Sequence, residues 1–419
     1  MRILNVTESY APFLEFGGPP VKVRALSEGL ARLGHSVTVL TADWGIEKRL
    51  VDADGKVGAE RSPFGWRRNE NGVQAIYLPT WLRRRALSWN PAVKRYCRAR
   101  LQNFDVVHIF GLYDLLGPAV AAACRARGLP YVVEPIGMFL PIVRNIWLKR
   151  MYHALLGRRL LWGASAVIAT SEQEVEELAG GGLQREKIVL RRNGVDRPDT
   201  WPEPGAFRRE HQIPAEAKVV LFLGRLSLKK SPELLLQAVA DLPAPLQERD
   251  LKVVFAGPDE GGVRKQLAQR ALQLGIEKRV YFTGPIYDDA KWAAYRDADV
   301  FVLPSQNENF GNSAAEAVAA GTPVIVTEQC GIAPLLVDEA GLVVSHDAAA
   351  LSGALVRMLT EPQLSERLAA GCAAVAMRLG WETPVREMDS LYARLTGRLD
   401  SEIDSEPNSG RNSGPGGAD

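Results

Sequence analysis

Residues 300–327 read VFVLPSQNENFGNSAAEAVAAGTPVIVT, and this stretch decides the fold class of the chain. The apolar run Val300–Leu303 is followed by a polar loop and then by a helical stretch of small residues that ends at Gly321. A second apolar run follows at Pro323–Thr327. A strand, a helix and a parallel strand in this order form a right-handed βαβ unit. The stretch therefore predicts a doubly wound α/β sheet.

The same alternation of short apolar runs and helical stretches recurs on both sides of a segment rich in proline and glycine. Nearly all-apolar runs are typical of strands that are buried on both faces of a parallel sheet. We therefore predict one Rossmann-like domain at residues 1–196 and a second at residues 215–378, joined by a linker at residues 197–214. Residues 399–419 hold almost no large apolar side chain and are predicted to be disordered.

The composition is that of an ordinary globular protein, with 46% hydrophobic and 24% charged residues among 419. A chain of this length buries enough apolar surface to fold without disulfides or a structural metal. Its four cysteines are too widely spaced for a CxxC site, and neither a signal peptide nor an apolar run of about 20 residues is evident. We therefore expect a cytoplasmic protein with reduced thiols.

The formal net charge of +2 hides an uneven distribution of charge along the chain. Residues 1–160 contain 24 Lys and Arg against 12 Asp and Glu, so the remainder is acidic. Two basic strips, residues 81–100 and 144–162, interleave Lys and Arg with Trp and Leu and contain no acidic residue. This pattern is typical of a face that lies on an anionic membrane, so we expect peripheral contact with the inner face of the cell membrane. An ordinary solvated face is the alternative interpretation.

The strongest candidate site lies in the loop and helix that follow the strand Val300–Leu303. Glu308 lies on the loop at the lip of the site, and Glu316, two turns later, could project the same way and accept hydrogen bonds from sugar hydroxyls. The helix dipole and the free N–H groups at the helix start would favour an anion. These N–H groups belong to Phe310, Gly311 and Asn312. A simple capped helix on the surface is an equally good interpretation of this motif alone.

Two further loops carry groups that suit a phosphate-bearing ligand. Arg225 and Lys230 follow the first predicted strand of the second domain, where a guanidinium and an ammonium group could hold a diphosphate. Gly17 and Gly18 follow the first strand of the chain, where glycine permits a close approach of the backbone to a ligand. Neither loop has a GxGxxG or Walker pattern, which argues against a dinucleotide dehydrogenase.

Taken together and in this order, these loops resemble those of the retaining glycosyltransferases of family 4, which have the GT-B fold. The E-x7-E motif of that family matches Glu308 and Glu316, and its G-R-L-x-x-x-K signature matches Gly224–Lys230. Its NGVD turn matches Asn193–Asp196, and the resemblance covers nearly the whole chain. The variant ENFGN looks most like transferases of bacterial polysaccharide assembly.

The resemblance implies a role for each matching residue. Arg225 and Lys230 would hold the diphosphate of a UDP- or GDP-linked sugar, assisted by the Gly-Gly loop and by the amides at the helix start. Glu316 would bind the ribose, and Glu308 would contact the donor sugar. Family members usually need neither a metal ion nor another cofactor, because the basic pair neutralises the leaving diphosphate. Residues 379–398 would form a helix that crosses back to the first domain.

The resemblance places the acceptor at strand ends of the first domain, where the chain departs from the family pattern. His108, a candidate catalytic residue, lies in a segment similar to H-x-H-G, but Phe110 replaces the second histidine. Glu134 lies in a segment similar to S-P-[HR]-G-M-L, but Ile136 replaces the basic residue. Asn193 is assigned to the same acceptor side.

We therefore expect a retaining, metal-independent hexosyltransferase that moves a sugar from a nucleotide diphosphate to a glycan or a lipid-linked acceptor. Two alternatives stay open. A nucleotide-sugar epimerase on the same fold would release its product without an acceptor, and a scaffold with a degenerate acceptor site would dock on a membrane without catalysis. A nucleic-acid partner is not expected, because no recognised binding motif accompanies the basic strips.

Overall fold

The computed structural model describes most of the chain, namely residues 1–50, 58–84, 87–140 and 146–398. The described residues form two α/β units, each built around a largely parallel sheet. The segment predicted to be disordered, 399–419, lies outside the described residues, as do Arg85 and Arg144 of the two basic strips.

The described part of the first unit contains a nine-stranded sheet and a separate two-stranded hairpin. In chain order the strands are β1 (Arg2–Val6), β2 (Ser36–Ala42), β3 (Glu60–Ser62), β4 (Gly65–Glu70), β5 (Val73–Leu78), β6 (Leu82–Arg84), β7 (Leu87–Trp89), β8 (Val106–Phe110), β9 (Tyr131–Glu134), β10 (Ala166–Ala169) and β11 (Ile188–Leu190). The order in the sheet is β11-β10-β9-β8-β1-β2-β5-β4-β3, and β6 pairs with β7 outside it.

This sheet is parallel from β11 to β5, and β4 and β3 extend it in the antiparallel sense. The sequence pattern did not predict β3 and β4, because these edge strands are partly exposed and lack the continuous apolar runs of the buried strands. The helices of the unit are α1 (Gly18–Arg32), α2 (Ile46–Arg49), α3 (Ala92–Arg100), α4 (Leu116–Arg125), α5 (Ile146–Tyr152), α6 (Arg158–Trp162) and α7 (Glu172–Gly180).

Helices cover both faces of the first sheet, so its central strands are buried on both sides. Leu4 of β1 packs in a cluster with Val120 of α4, whereas the neighbouring Ile3 packs in a cluster with Val23 and Leu26 of α1. Successive residues of a strand point to opposite faces, so one all-apolar strand serves two cores. This arrangement is the one that the apolar runs predict.

The second unit contains six parallel strands in the order β14-β13-β12-β15-β16-β17. They are β12 (Lys218–Leu223), β13 (Leu251–Ala256), β14 (Val280–Gly284), β15 (Val300–Leu303), β16 (Val324–Thr327) and β17 (Gly341–Val344). The helices that follow the first unit are α8 (Ala206–Glu210), α9 (Pro232–Ala240), α10 (Ala244–Gln247), α11 (Val263–Gln273), α12 (Asp288–Asp297), α13 (Asn312–Ala319), α14 (Ala333–Leu336), α15 (Ala348–Thr360), α16 (Pro362–Arg378) and α17 (Glu382–Leu395). The order in which strands are added to the sheet reverses between β12 and β15, and doubly wound sheets bind ligands at this position.

The prediction that residues 197–214 form only a linker is wrong, because this segment contains α8 and packs into the second unit. Phe207 of α8 is fully buried in the core of that unit. The carboxylate of Asp297 accepts hydrogen bonds from the backbone N–H groups of Gly205 at 2.7 Å and Phe207 at 2.9 Å. The clustered prolines indicate where regular secondary structure is interrupted, but they do not predict that Phe207 between them is buried in a core.

The C-terminal helix α17 packs against the first unit, although it follows the second unit in the chain. Val385, Met388 and Tyr392 are buried in the same cluster as Ile3 of β1. The chain therefore crosses between the units twice, and the two crossings adjoin because the N–H of Val195 donates to the carbonyl of Leu379 at 2.7 Å.

The carboxyl ends of the two sheets face each other across a cleft. Nη2 of Arg225, which follows β12, lies 3.5 Å from the carbonyl oxygen of Phe16, which follows β1. Nδ2 of Asn309, which follows β15, donates to Oγ1 of Thr170, which follows β10, at 2.7 Å. The residues at the strand ends of both units therefore share one cleft.

Candidate active site

Lys230 and Glu308 form an ion pair at the carboxyl ends of β12 and β15. Nζ of Lys230 lies 2.9 Å from Oε2 of Glu308, and 20% and 21% of the two side chains are exposed. Burial alone would raise the pKa of the Glu308 carboxyl, but the ammonium group of Lys230 outweighs it and holds the pKa below its ordinary value. Glu308 is therefore an ionised carboxylate fixed beside a cation.

The loop that carries Glu308 is held by backbone hydrogen bonds. The N–H of Glu308 donates to the carbonyl of Gln329, and its carbonyl accepts from the N–H of Gly331, both at 2.9 Å. The side chain of Phe310 is 2% exposed and packs into the core of the second unit. Phe310 can therefore offer only its backbone to a ligand, and Gly311 then leads into α13.

Glu316 lies about one turn into α13 and is held by two side chains of α12. Its Oε1 accepts from Nζ of Lys291 at 2.8 Å, and its Oε2 accepts from the hydroxyl of Tyr295 at 2.9 Å. Burial and the nearby carboxylate raise the pKa of the Tyr295 hydroxyl well above its ordinary value, so this hydroxyl stays a donor. The Glu316 carboxylate thus has a fixed orientation, with 21% of the side chain still exposed.

The Gly17–Gly18 loop approaches this site from the other side of the cleft. A Cβ atom on Gly18 would lie 3.1 Å from Nδ2 of Asn312, and one on Gly17 would lie 3.5 Å from Nη2 of Arg225. Gly17 also has a φ of 102°, in the region that favours glycine. A Cβ on Gly18 would crowd Asn312 of the second domain, whereas at Gly17 the positive φ is what favours glycine, so both glycines suit the close approach of the two units at this site.

These groups could bind a ligand that carries both a diphosphate and hydroxyl groups. The guanidinium of Arg225 is half exposed and lies 3.9 Å from Glu260, so it is free to turn toward an anion in the cleft. The carboxylates of Glu308 and Glu316 are acceptors for hydroxyl donors. Within the ranges that the structure describes, no three His, Cys, Asp or Glu residues are grouped so that they could hold a metal ion.

Comparison with known proteins identifies the family. Residues 17–194 match the model of a glycosyl transferase 4-like domain, and residues 205–372 match that of glycosyl transferases group 1. A D-inositol 3-phosphate glycosyltransferase of Xylanimonas cellulosilytica is 31% identical over 401 residues, which cover 91% of this chain and 92% of that protein. This chain belongs to the group 1 glycosyltransferases. The D-inositol 3-phosphate glycosyltransferase of Corynebacterium jeikeium is 32% identical over 400 residues, with 90% and 92% of the two chains covered.

Solved structures confirm the predicted GT-B fold of this glycosyltransferase. Sucrose-phosphate synthase from Thermosynechococcus elongatus has a TM-score of 0.71 at 22% identity and covers 95% of this chain and 100% of its own. The Anabaena protein Alr3699/HepE, in complex with UDP and glucose, has a TM-score of 0.69 at 18% identity, with 97% and 100% covered. At this identity the likeness establishes the shared fold of two facing Rossmann-like domains.

The glycosyltransferase does not present His108 or Glu134 to the cleft, so the prediction that both line the acceptor side is wrong. Both side chains are fully buried. Nδ1 of His108 lies 2.7 Å from the hydroxyl of Tyr392 on α17, and burial lowers the pKa of this histidine to about 3. Glu134 pairs with Lys22 at 2.5 Å and with Arg191. Tyr392 of α17 covers His108, and Lys22 of α1 and Arg191 enclose Glu134. A single sequence does not reveal these contacts.

Two other predicted acceptor-side positions also lie elsewhere than expected. Phe110, which replaces the second family histidine, is 2% exposed and stacks on His108 with ring centroids 3.9 Å apart. Asn193 is almost fully buried between the units, where its Nδ2 donates to Oδ1 of Asn312 at 3.0 Å. Asn193 therefore contacts the start of α13, which the sequence analysis assigned to the donor.

Sequence reasoning missed a polar cluster at the carboxyl ends of β1 and β8 of the glycosyltransferase. Burial and the nearby Asp114 raise the pKa of Glu8 to about 8, so this carboxyl is largely protonated at neutral pH. The hydroxyl of Tyr152 donates to the carbonyl of Asp114 at 2.9 Å, and the hydroxyl of Tyr113 lies 2.8 Å from Nε2 of His153. The acidic Glu8 just after β1 could have indicated this cluster. The sequence pattern did not show that Asp114, which lies far away in the chain, would be its neighbour.

Proposed function

We propose that this glycosyltransferase moves a sugar, with retention of its anomeric configuration, from a UDP- or GDP-linked donor to a glycan or lipid-linked acceptor. The observation that carries the proposal is the Lys230–Glu308 ion pair, which lies with Arg225 at the strand ends opposite the Gly17–Gly18 loop. Cations beside a departing diphosphate stabilise the charge that develops on it. The carboxylate of Glu308, beside Lys230, would accept hydrogen bonds from the donor sugar.

The proposed reaction is a front-face displacement. The acceptor hydroxyl oxygen forms a bond to the anomeric carbon while the bond from that carbon to the leaving phosphate oxygen breaks, and the phosphate takes the hydroxyl proton. Arg225 and Lys230 hold the diphosphate without a metal ion, Glu308 holds the sugar, and Glu316 accepts from the ribose hydroxyls. Fixed positions and fixed charges supply most of the rate in such a step.

We place the acceptor end of the proposed site where Lys149 of α5 comes within electrostatic reach of Lys229 of the second domain. Lys149 of α5 is partly buried, and both this burial and the charge of Lys229 on the second domain lower its pKa. A phosphate on the acceptor would relieve this repulsion. The curated relatives are named for D-inositol 3-phosphate, and a soluble sugar phosphate is therefore the second candidate acceptor beside a lipid-linked phosphate.

We expect one nucleoside diphosphate to raise the unfolding temperature of the protein in EDTA. At a hundredfold excess over its Kd, a ligand of the folded state adds about 2.7 kcal/mol of stability. The measurement is thermal unfolding with UDP, GDP, ADP, dTDP and CMP. Arg225→Ala should reduce the shift, because the half-exposed Arg225 guanidinium is one of two cations assigned to the diphosphate.

The outcome of this screen also separates the alternatives. An Arg225→Ala protein that is stabilised as much as the wild type would exclude the diphosphate assignment. A folded wild type that responds to none of the five nucleotides would instead favour the non-catalytic scaffold. A separate incubation with the nucleotide-sugar donor and no acceptor tests the epimerase, which would convert the donor to an isomeric nucleotide sugar.

An apolar surface beside the acceptor end supports a lipid-linked acceptor. Large exposed apolar residues occur on α5, just beyond α5, and at the β6–β7 hairpin, and they are Trp81, Leu82, Trp89, Ile146, Trp147, Leu148, Met151 and Leu155. Both elements border the cluster of Glu8 and Asp114, because Ser88 of the hairpin lies beside Glu8 and the hydroxyl of Tyr152 of α5 donates to the carbonyl of Asp114. No described helix is both long and apolar enough to span a bilayer. Apolar residues interleaved with cations suit the surface of an anionic bilayer.

We expect Trp147→Ser/Leu155→Ser to bind vesicles of phosphatidylcholine and phosphatidylglycerol at least about tenfold more weakly than the wild type, because each apolar side chain contributes about 2 kcal/mol when buried. Flotation with vesicles at low and high salt is the measurement. Leu272→Ser/Met377→Ser is the matched control, since these residues are 65% and 74% exposed on the second domain, against 68% and 60% for the tested pair. Equal binding by both variants would exclude this surface as the membrane contact.

A further inference from the structure

Three asparagines at the start of the candidate active site reach across the cleft to the first domain. Nδ2 of Asn307 lies 3.3 Å from Oε1 of Glu177, Nδ2 of Asn309 lies 2.7 Å from Oγ1 of Thr170, and Oδ1 of Asn312 lies 3.0 Å from Nδ2 of Asn193. Glu308, between the first two asparagines, pairs instead with Lys230 of its own domain. Neighbouring residues of this loop therefore bind different domains.

Asn309 has the most rigid partner of the three. The hydroxyl of Thr170 accepts from Asn309 and donates to Oε2 of Glu174 at 3.2 Å, and the same carboxylate oxygen accepts from the N–H of Thr170 at 2.9 Å. The other carboxylate oxygen of Glu174, Oε1, accepts from the N–H of Gly137 at 2.7 Å. Thr170 and Glu174 are fully buried. We call Thr170, Glu174 and Gly137 the Asn309 seat.

The seat fits Asn309 so closely that only a hydrogen atom has room on Gly137. A Cβ atom on Gly137 would lie 2.6 Å from Cβ of Asn309, which is closer than two such atoms come in proteins. Gly137 has a φ of 65°, and the preceding Ile136 has a φ of 57°, which is unfavourable for a β-branched residue. The first domain therefore keeps a strained turn at the point where the second domain docks.

We propose that Asn309 is a positioning residue whose seating in the first domain fixes the loop that carries Glu308 when the cleft closes. Asn309 directly follows Glu308 in the chain. Anchoring Asn309 to the first domain therefore limits where the Glu308–Lys230 pair can lie relative to the acceptor. The proposal rests on the proposed glycosyl transfer for its effect on rate. The docking itself is a property of the two domains and does not depend on the donor.

The test compares two glycine substitutions that differ only in what the new methyl group meets. Gly128 and Gly137 both have a φ of 65° in the first domain, but a Cβ on Gly128 meets nothing within 4 Å. Gly128→Ala therefore measures the backbone cost alone. Gly137→Ala adds the collision with Asn309, and Asn309→Ala removes the amide while leaving the glycine intact.

The direct readout is the distance between the domains. Spin labels on cysteines introduced at the exposed Gln102 and Gln273 report it, because the four native cysteines are buried. We expect the wild type and Gly128→Ala to share one short distance. Gly137→Ala and Asn309→Ala should shift the distribution to longer distances. Identical distributions for Gly137→Ala and Gly128→Ala would overturn the proposal.

The second readout separates positioning from folding. With the donor identified by the nucleotide screen, kcat of Asn309→Ala and Gly137→Ala should fall at least about tenfold, while the Kd of the nucleoside diphosphate changes less than about threefold. If Asn309→Ala and Gly137→Ala had the same kcat per folded molecule as Gly128→Ala, the positioning role of Asn309 would also be excluded. If no nucleotide binds, the proposed function fails, whereas the distance measurement still decides whether Asn309 docks.

Discussion

Lys230→Ala is expected to lower kcat/KM by at least about a hundredfold, which is the usual cost of removing one charge-stabilising group at a reacting centre. Two effects add in this variant. The leaving diphosphate loses one of its two assigned cations, and Glu308 loses the ammonium group that holds its pKa down. The measurement is the rate at which the nucleoside diphosphate is released from the donor that the screen identifies.

The pH dependence distinguishes these two effects. Because Lys230 lowers the pKa of Glu308, the wild type keeps the carboxylate ionised at mildly acid pH, and the acid limb of the rate profile should move to higher pH in the variant. The double variant Lys230→Ala/Glu308→Gln should lose less kcat/KM than the product of the losses in the two single variants, because the two side chains are in contact.

Lys252→Ala is the matched control for this substitution. Lys252 also forms an ion pair, 2.7 Å from Asp250, but it lies at the amino end of β13, on the opposite edge of the same sheet. It should leave kcat/KM nearly unchanged. A Lys230→Ala enzyme as active as Lys252→Ala would remove Lys230 from the mechanism.

Glu134→Gln is expected to cost about 3–5 kcal/mol of the free energy of unfolding, measured with urea. The carboxylate lies buried between Lys22 and Arg191, and removing one partner of a buried ion pair leaves uncompensated charge in a dry interior. Glu176→Gln is the control, because Glu176 forms an exposed pair with Arg185 and should change stability little. A loss below about 1 kcal/mol for Glu134→Gln would mean that water or neighbouring groups solvate the cations.

The same buried cluster predicts that the protein is sensitive to acid. Burial opposes the ionisation of Glu134, yet Arg191 and Lys22 outweigh it and lower its pKa to about 2, below that of an unfolded glutamate. Burial lowers the pKa of His108 to about 3. Both groups bind a proton at higher pH in the unfolded chain than in the folded protein. The free energy of unfolding therefore falls as the pH drops below about 6.5, where unfolded histidine is protonated, and falls further below about 4.5, where unfolded glutamate is protonated. Urea unfolding between pH 7 and pH 4 measures the slope.

The sequence alone predicted much of the fold, because strands that are buried on both faces of a parallel sheet have continuous runs of apolar residues. Arg2–Val6, Val73–Leu78, Ala166–Ala169 and Val300–Leu303 are strands with the predicted bounds. The elements that the sequence did not predict include β3, β4 and α8. These elements are short and partly polar, and contacts with the rest of the domain decide their structure.

The second-domain half of the candidate site was also accessible from the sequence. Arg225, Lys230 and Glu308 lie in the segments that follow β12 and β15, and Glu316 lies about one turn into α13. The carboxyl ends of parallel strands share one edge of a sheet. Local order along the chain therefore brings these residues together. Asn312, at the start of α13, belongs to the same group.

Only the tertiary structure decided which first-domain residues face the cleft. His108 and Glu134 follow the same strand-end rule, but Tyr392 and Arg191, far away in the chain, cover them and bury their charge. In contrast, Gly137 meets Asn309 across 172 positions of sequence. Burial and contact between domains depend on how distant segments pack, and no local pattern of residues encodes that packing.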